Sequence, residues 1–175
     1  MRIALDAMGT DTAPISEVAG AVAALEDLQQ DVEIVLVGDK DVIEAELAKH
    51  PDVPDGRIRI HHAPDRVLAS DAPASAIRRK PNSSIVVGLK LQNRGEVDAF
   101  VSAGNTGAIM ATSLFILKPL PGVDRPAIGA WLPTAKAPCL LLDAGANVDC
   151  KPQHLSQFAQ LGTVYAKDIM GREAP

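Results

Sequence analysis

Six short runs rich in Val, Ile, Leu and Ala, at residues 2–5, 33–37, 57–61, 97–102, 127–132 and 138–142, recur along the chain with helical patterns between them. Most of them close on Gly, Asp, Ser or Pro, the residues that end strands. Alternation of this kind predicts an α/β fold, with a mainly parallel sheet covered by helices on both faces. The length of 175 residues fits a single domain, 1–175, with enough chain to bury a substantial apolar core.

The helical segments have their own signals. Pro14 suits a first turn, and Ile15, Val18, Ala19, Val22, Leu25 and Leu28 fall on one face that should be buried. Residues 40–49 set Val42, Ile43 and Leu47 against acidic neighbours, as an amphipathic surface helix does, and Pro51 and Pro54 follow it. The stretch 63–81, with its prolines and basic cluster, reads as an irregular loop. Helix resumes over 82–94 and 105–117, and a last helix over 152–169 starts at Pro152 and should bury Leu155, Phe158, Ala159, Leu161 and Tyr165.

Composition removes several functions. Aromatic residues are only 3% of the chain, so stacking platforms for single-stranded nucleic acid are not expected, and a net charge of −5 opposes general polyanion binding. No apolar run approaches the roughly 20 residues of a membrane span. The start, Met1-Arg2-Ile3-Ala4-Leu5-Asp6, lacks the hydrophobic region of a secretory signal. Cys139 and Cys150 are too few for a disulfide framework, and a reducing cytoplasm is the expected location.

In an open parallel sheet, ligands collect outside the carboxyl ends of the strands. Polar clusters fall at such positions: Asp6 to Asp11, Lys80 to Ser84, Ser102 to Gly107, and Asp143 to Cys150. In Ser102-Ala-Gly104-Asn105-Thr106-Gly107, glycines let the backbone approach a ligand while N–H groups at a helix start point outward, which suits an anion. A tight turn that needs glycine for packing fits the same residues.

Lys80 with Ser83 and Ser84 is a second anion candidate, and an ordinary helix cap beside a solvated basic loop is its alternative. Asp143, Asn147 and Asp149 carry oxygen ligands, but their spacing matches no EF-hand and no metal site is assigned. Cys150 reads as a buried thiol rather than a nucleophile. No P-loop and no GxGxxG fingerprint occurs, so nucleotide binding is disfavoured.

Taken together, the runs Leu5-Asp-Ala-Met-Gly9, Lys80-Pro-Asn-Ser-Ser-Ile85, Val101-Ser-Ala-Gly-Asn-Thr-Gly-Ala108, Arg125-Pro-Ala127 and Leu142-Asp-Ala-Gly-Ala-Asn-Val-Asp-Cys150, then His154-Leu and Gln157-Phe-Ala159, resemble the PlsX family of phosphate acyltransferases. That family converts acyl carrier protein thioesters and inorganic phosphate into acyl phosphates for phospholipid synthesis. One departure stands in the first loop, where Gly9 is followed by Thr10-Asp11-Thr12 in place of the family's Gly-Asp-His.

The resemblance implies the α/β architecture of phosphotransacetylases and isopropylmalate dehydrogenases, a homodimer, and a longer chain of which this is the N-terminal half. It also implies acyl carrier protein and phosphate as partners, no cofactor, and possible peripheral attachment to the inner membrane face. Ser102, Asn105 and Thr106 would then take catalytic roles, with Gly104, Gly107, Lys80, Ser83 and Ser84 around phosphate and Asp143, Asn147 and Asp149 ordering a loop or the pantetheine end. Two other functions fit the same architecture: a metal- and NAD-dependent dehydrogenase, and a non-catalytic module that docks acyl carrier protein.

Overall fold

The computed structural model describes residues 1–73 and 78–173. The chain divides into two compact units, Met1–Lys118 and Pro119–Pro175. The first unit runs β1 (Arg2–Asp6), α1 (Ile15–Asp27), β2 (Glu33–Gly38), α2 (Lys40–Leu47), β3 (Ile58–His62), α3 (Ser84–Asn93), β4 (Ala99–Val101) and α4 (Thr106–Ile116). Its strands lie in the order β3-β2-β1-β4 and all pair parallel. Ile3 registers with Ile34 and Ala99, and Ile34 with Ile58, so one row of side chains crosses the whole sheet.

Successive side chains of a strand face opposite sides, and both sides of this sheet are covered. On one side Val18, Ala21 and Leu25 of α1 and Ile43 of α2 pack against Ile34 and Leu36. On the other, Leu91 of α3 joins Ala4, Val37 and Val97, with Val87 and Phe100 packed against them. Ile85 and Leu89 of α3 then meet Ala108 of α4 and Val67. This is why the β2 sequence Glu33-Ile-Val-Leu-Val-Gly38 is nearly continuous in apolar residues.

The buried face of α1 is rotated from the one expected. Glu17, Val18, Ala21 and Leu25 are buried, whereas Ile15 is 57% exposed and Ala19 also lies outside. Glu17 is drawn inward because its carboxylate accepts hydrogen bonds from the Thr10 N–H and the Ser16 hydroxyl. The basic stretch before α3 is not irregular throughout, since Pro73, Arg78 and Arg79 are helical. The part of that expectation resting on residues 74–77 lies outside the described residues.

In the second unit, β5 (Gly129–Leu132) and β6 (Cys139–Leu142) form a separate antiparallel pair, followed by α5 (Pro152–Asp168). Segment 133–138 is too short for the crossover of about a dozen residues that a parallel pair needs. The α5 face also differs from expectation: His154, Phe158, Gly162 and Ala166 are buried, while Leu155, Ala159 and Tyr165 are exposed. Spacing of four residues places those buried positions in one stripe. Gly162 allows close approach, because a Cβ there would overlap the Leu142 side chain. Among the described residues no helix is long and apolar enough to cross a membrane.

Gly88 brings α3 onto the sheet, and a Cβ built on it would overlap the Phe100 ring. Gly88→Ala gains helix propensity of up to about 1 kcal/mol but overpacks a filled site at about 1–3 kcal/mol. Urea unfolding should therefore show net destabilisation, and Phe100→Leu in the same chain should recover most of it.

Candidate functional site

The connections step outward from β1 to β2 to β3, and the chain then returns to lay β4 on the other flank of β1. Strand order thus reverses between β1 and β4, and a crevice opens outside their carboxyl ends. Two loops meet there. Asp6, 1% exposed at the end of β1, accepts hydrogen bonds from Met8 N–H at Oδ1 (3.0 Å) and from the Ser102 hydroxyl at Oδ2 (2.6 Å). Ser102 Oγ in turn accepts from Gly104 N–H at 3.1 Å. A buried carboxyl group is costly unless its oxygens are satisfied, and both of these are.

The backbones themselves approach closely. A Cβ on Gly9 would lie 2.9 Å from Gly104 N and 3.1 Å from Asp6 Oδ2, and one on Gly104 would lie 3.3 Å from Gly9 Cα. Gly9 has no room for a side chain without displacing backbone, and at Gly104 one would press on Ser102 Oγ at 3.2 Å and Asp6 Oδ2 at 3.3 Å. Asn105 then caps α4, its Oδ1 accepting from Ala108 N–H at 2.9 Å. Thr106 is exposed at the first helical position, and Gly107 packs against Pro73, whose Cγ would lie 2.6 Å from a Cβ there.

A third segment, the stretch after β3, completes the crevice. Gly9, Thr10 and Asp11 from the first loop, Arg66 to Ser70 from the third segment, and Ala103, Gly104 and Asn105 from the β4 loop line a cleft of about 480 Å³. Arg66 supplies positive charge among these lining residues and Asp11 negative charge. The Arg66 guanidinium donates from Nη2 to the Thr10 carbonyl, and its buried Nε has no hydrogen-bond partner. Nothing in the spacing of Arg66 marked it out, since it became part of the cleft only through the return of the chain beside β1.

The other residues singled out from the sequence lie close by or elsewhere. Lys80 donates from Nζ to Asp71 Oδ2 at 2.5 Å and to the Arg66 carbonyl at 2.8 Å, so its donors serve the third segment. Ser83 and Ser84 are 0% and 1% exposed. They fasten the same segment to α3, with Ser84 N–H donating to Asp65 O at 3.3 Å and Asp65 bridging Ser83. Ser83 Oγ is buried without a partner.

Asp143, Asn147 and Asp149 belong to the second unit and form a local knot. Asp143 adopts φ of 60° and accepts from Asn147 Nδ2 at 3.0 Å and from Asn147 N–H at 3.1 Å. Asn147 Nδ2 also donates to Pro126 O at 2.9 Å, and Arg125 to Asp149 O at 3.4 Å. Burial and then the Asp143 carboxylate push the Cys150 thiol above its ordinary value. A thiol so raised is a poor nucleophile at neutral pH. No group of three or more His, Cys, Asp or Glu side chains suited to a metal ion occurs among the described residues.

The fold and the crevice define an α/β protein whose glycine-bearing loops meet at the reversal of strand order, the place where sheets of this kind take up ligands. The family can be given more closely. Residues 1–175 match the family described as fatty acid synthesis protein, and the chain belongs to that family.

Its relatives include the phosphate acyltransferase of Desulforamulus reducens, 54% identical over 175 residues, which are 100% of this chain and 51% of that protein. The phosphate acyltransferase of Salinibacter ruber is 48% identical over 99% of this chain and 52% of its own length, and that of Geobacter sulfurreducens 51% identical over 100% and 50%. The chain spans about half the length of these curated relatives.

Glu17 anchors the first loop, and its titration can be followed. Burial tends to raise its carboxyl, but hydrogen bonds from Thr10 N–H and the Ser16 hydroxyl outweigh this and hold it below the ordinary 4.5. A carboxyl depressed in the folded state adds stability above its unfolded value, and that stability is lost as pH falls through the folded value. Denaturant unfolding followed from neutral pH down to about pH 3 should show a steeper loss below 4.5 in the wild type than in Glu17→Gln. Parallel profiles would remove Glu17 from the anchoring of this loop.

Proposed function

We propose that the protein of which this chain is part is a phosphate acyltransferase, converting acyl-[acyl carrier protein] and inorganic phosphate into acyl phosphate and free carrier protein. The observation that carries the reading is the match, along the whole chain, to proteins named phosphate acyltransferase. It favours acyl transfer over the dehydrogenase alternative. The crevice supports it, since an anion seated against the Gly104–Gly107 backbone meets first-turn N–H groups that a helix cannot satisfy from within. Arg66 adds a cation to the lining of the same cleft.

In this reaction a phosphate oxygen attacks the thioester carbonyl, a C–O bond forms, and a tetrahedral oxyanion develops. Collapse breaks the C–S bond and releases the carrier thiol, which takes up a proton. Phosphate is already anionic at neutral pH and needs little help from a base. The protein's work is to hold it in line and to stabilise the oxyanion. The start of α4, with the Thr106 hydroxyl, is assigned to that work, Gly104 leaves room for the anion beside it, and Ser102 holds the loop through Asp6 and the Gly104 N–H. Asp143 and Asn147 order the loop after β6 through their mutual hydrogen bonds, and Asp149 through its carbonyl bonded to Arg125.

The same reading makes the protein cytoplasmic, homodimeric and peripheral to the inner membrane face. Its carrier partner is strongly acidic, and Arg78 and Arg79, both exposed, form with Lys80 the densest basic cluster of an otherwise acidic chain. Incubating acyl-carrier thioester and phosphate with a form carrying the second half found in the relatives should give free thiol and acyl phosphate in equal amounts. Thioester loss to free acid alone, or none at all, overturns the reading. Changing Arg78 and Arg79 to Glu should slow carrier association and flatten its salt dependence, and unchanged association rates at low salt move the docking surface elsewhere.

A further inference from the structure

The five-residue arc from Arg66 to Ser70 that forms one wall of the cleft has little regular structure to hold it. Besides the buried Val67 side chain and the Arg66 bond to the Thr10 carbonyl, what holds it is a pair of nitrogen atoms. Lys80 Nζ donates to the carbonyl of Arg66 at one end and to the Asp71 carboxylate at the other. Asn105 Nδ2 lies 3.2 Å from Leu68 O, 3.3 Å from Ala69 O and 3.2 Å from Asp71 O. The arc is therefore wrapped around two donors, one on the segment leading to α3 and one at the cap of α4.

Asp71 is where these ties converge. Its Oδ2 accepts from Lys80 and from Leu68 N–H at 2.7 Å, its N–H donates to Leu68 O at 3.1 Å, and its carbonyl accepts from Asn105. The Lys80 ammonium, then the Leu68 N–H, hold its carboxyl below the ordinary carboxylate value, so the clamp stays closed through neutral pH. Asp71 does not itself line the cleft.

Resting on the phosphate-binding reading above, we propose that Asp71 is a positioning residue for the anionic substrate: it clamps the Arg66–Ser70 wall to Lys80 and to the cap of α4, and so fixes Arg66 opposite the Gly104 loop. Asn105 serves the clamp through Nδ2 while its Oδ1 caps the helix. The two duties are separable, because Asp at the same position still caps but loses the donor and places a carboxylate against three carbonyls.

The test uses this chain with inorganic phosphate as the probe. Asp71→Asn keeps the shape but loses the charge that holds Lys80, and Asn105→Asp keeps the cap but loses the tether. Each should speed amide exchange over residues 67–71 by about tenfold, and Asp71→Asn, which puts no new charge in the cleft, should weaken phosphate binding about tenfold or more, as misplacement of a fixed group does. The thermal midpoint of Asp71→Asn should change little, and the double variant should exchange over 67–71 no faster than the faster single one, since both release the same arc. Unchanged exchange at 67–71 in folded Asp71→Asn overturns the clamp, as does faster exchange with unchanged phosphate affinity. If the wild type binds no phosphate, the reading of the cleft falls, and the exchange experiment still decides whether Asp71 holds the wall.

Discussion

The hydrogen bond from the Ser102 hydroxyl to the buried Asp6 carboxyl joins the two strands between which the sheet changes direction. Everything else in the cleft is placed relative to it. With Oδ1 turned to Met8 N–H and Oδ2 to Ser102, Asp6 sets the first residues beyond β1. Through Ser102 Oγ it also sets Gly104, and with it the entry of the chain into α4. A buried carboxyl group at the end of a central strand is tolerated only because each oxygen finds a donor. That requirement is also what gives the two loops one geometry rather than several.

Much of the fold is legible in the sequence because it rests on local patterns. Continuous apolar runs such as Ile34 to Val37 mark strands buried on both faces, and their spacing from helical segments implies parallel pairing. The helix faces were less readable. In α1 the inward pull on Glu17 outweighed the burial of Ile15, and in α5 the small residues Gly162 and Ala166 took the buried stripe from the larger Leu155 and Tyr165. Hydrophobicity alone does not show where close approach will matter more than size. The antiparallel pair of β5 and β6 was implied only by the shortness of the segment between them.

For the crevice, the motif loops were legible and their internal economy was not. Glycine placement in Asp6 to Gly9 and Ser102 to Gly107 pointed to the end of the sheet where the two loops meet. Which side chains face a ligand and which are consumed inside the protein depends on contacts between distant segments, such as Asn105 with Leu68 and Lys80 with Asp71. Ser83 and Ser84, polar at a helix start, looked available from the sequence and are buried. Arg66, Asp71 and Glu17 carried no motif, and only the folded chain brings them to the loops they hold.

The near contact between Gly9 and Gly104 has a meaning for how such a sequence can drift. Because a side chain at Gly9 would enter the volume of the Gly104 backbone, a change there is compatible only with a matching displacement ninety-five residues away in the chain. The two loops are constrained together. Exchange of one loop alone between distant relatives, at the level of gene segments, should fail where exchange of both together succeeds.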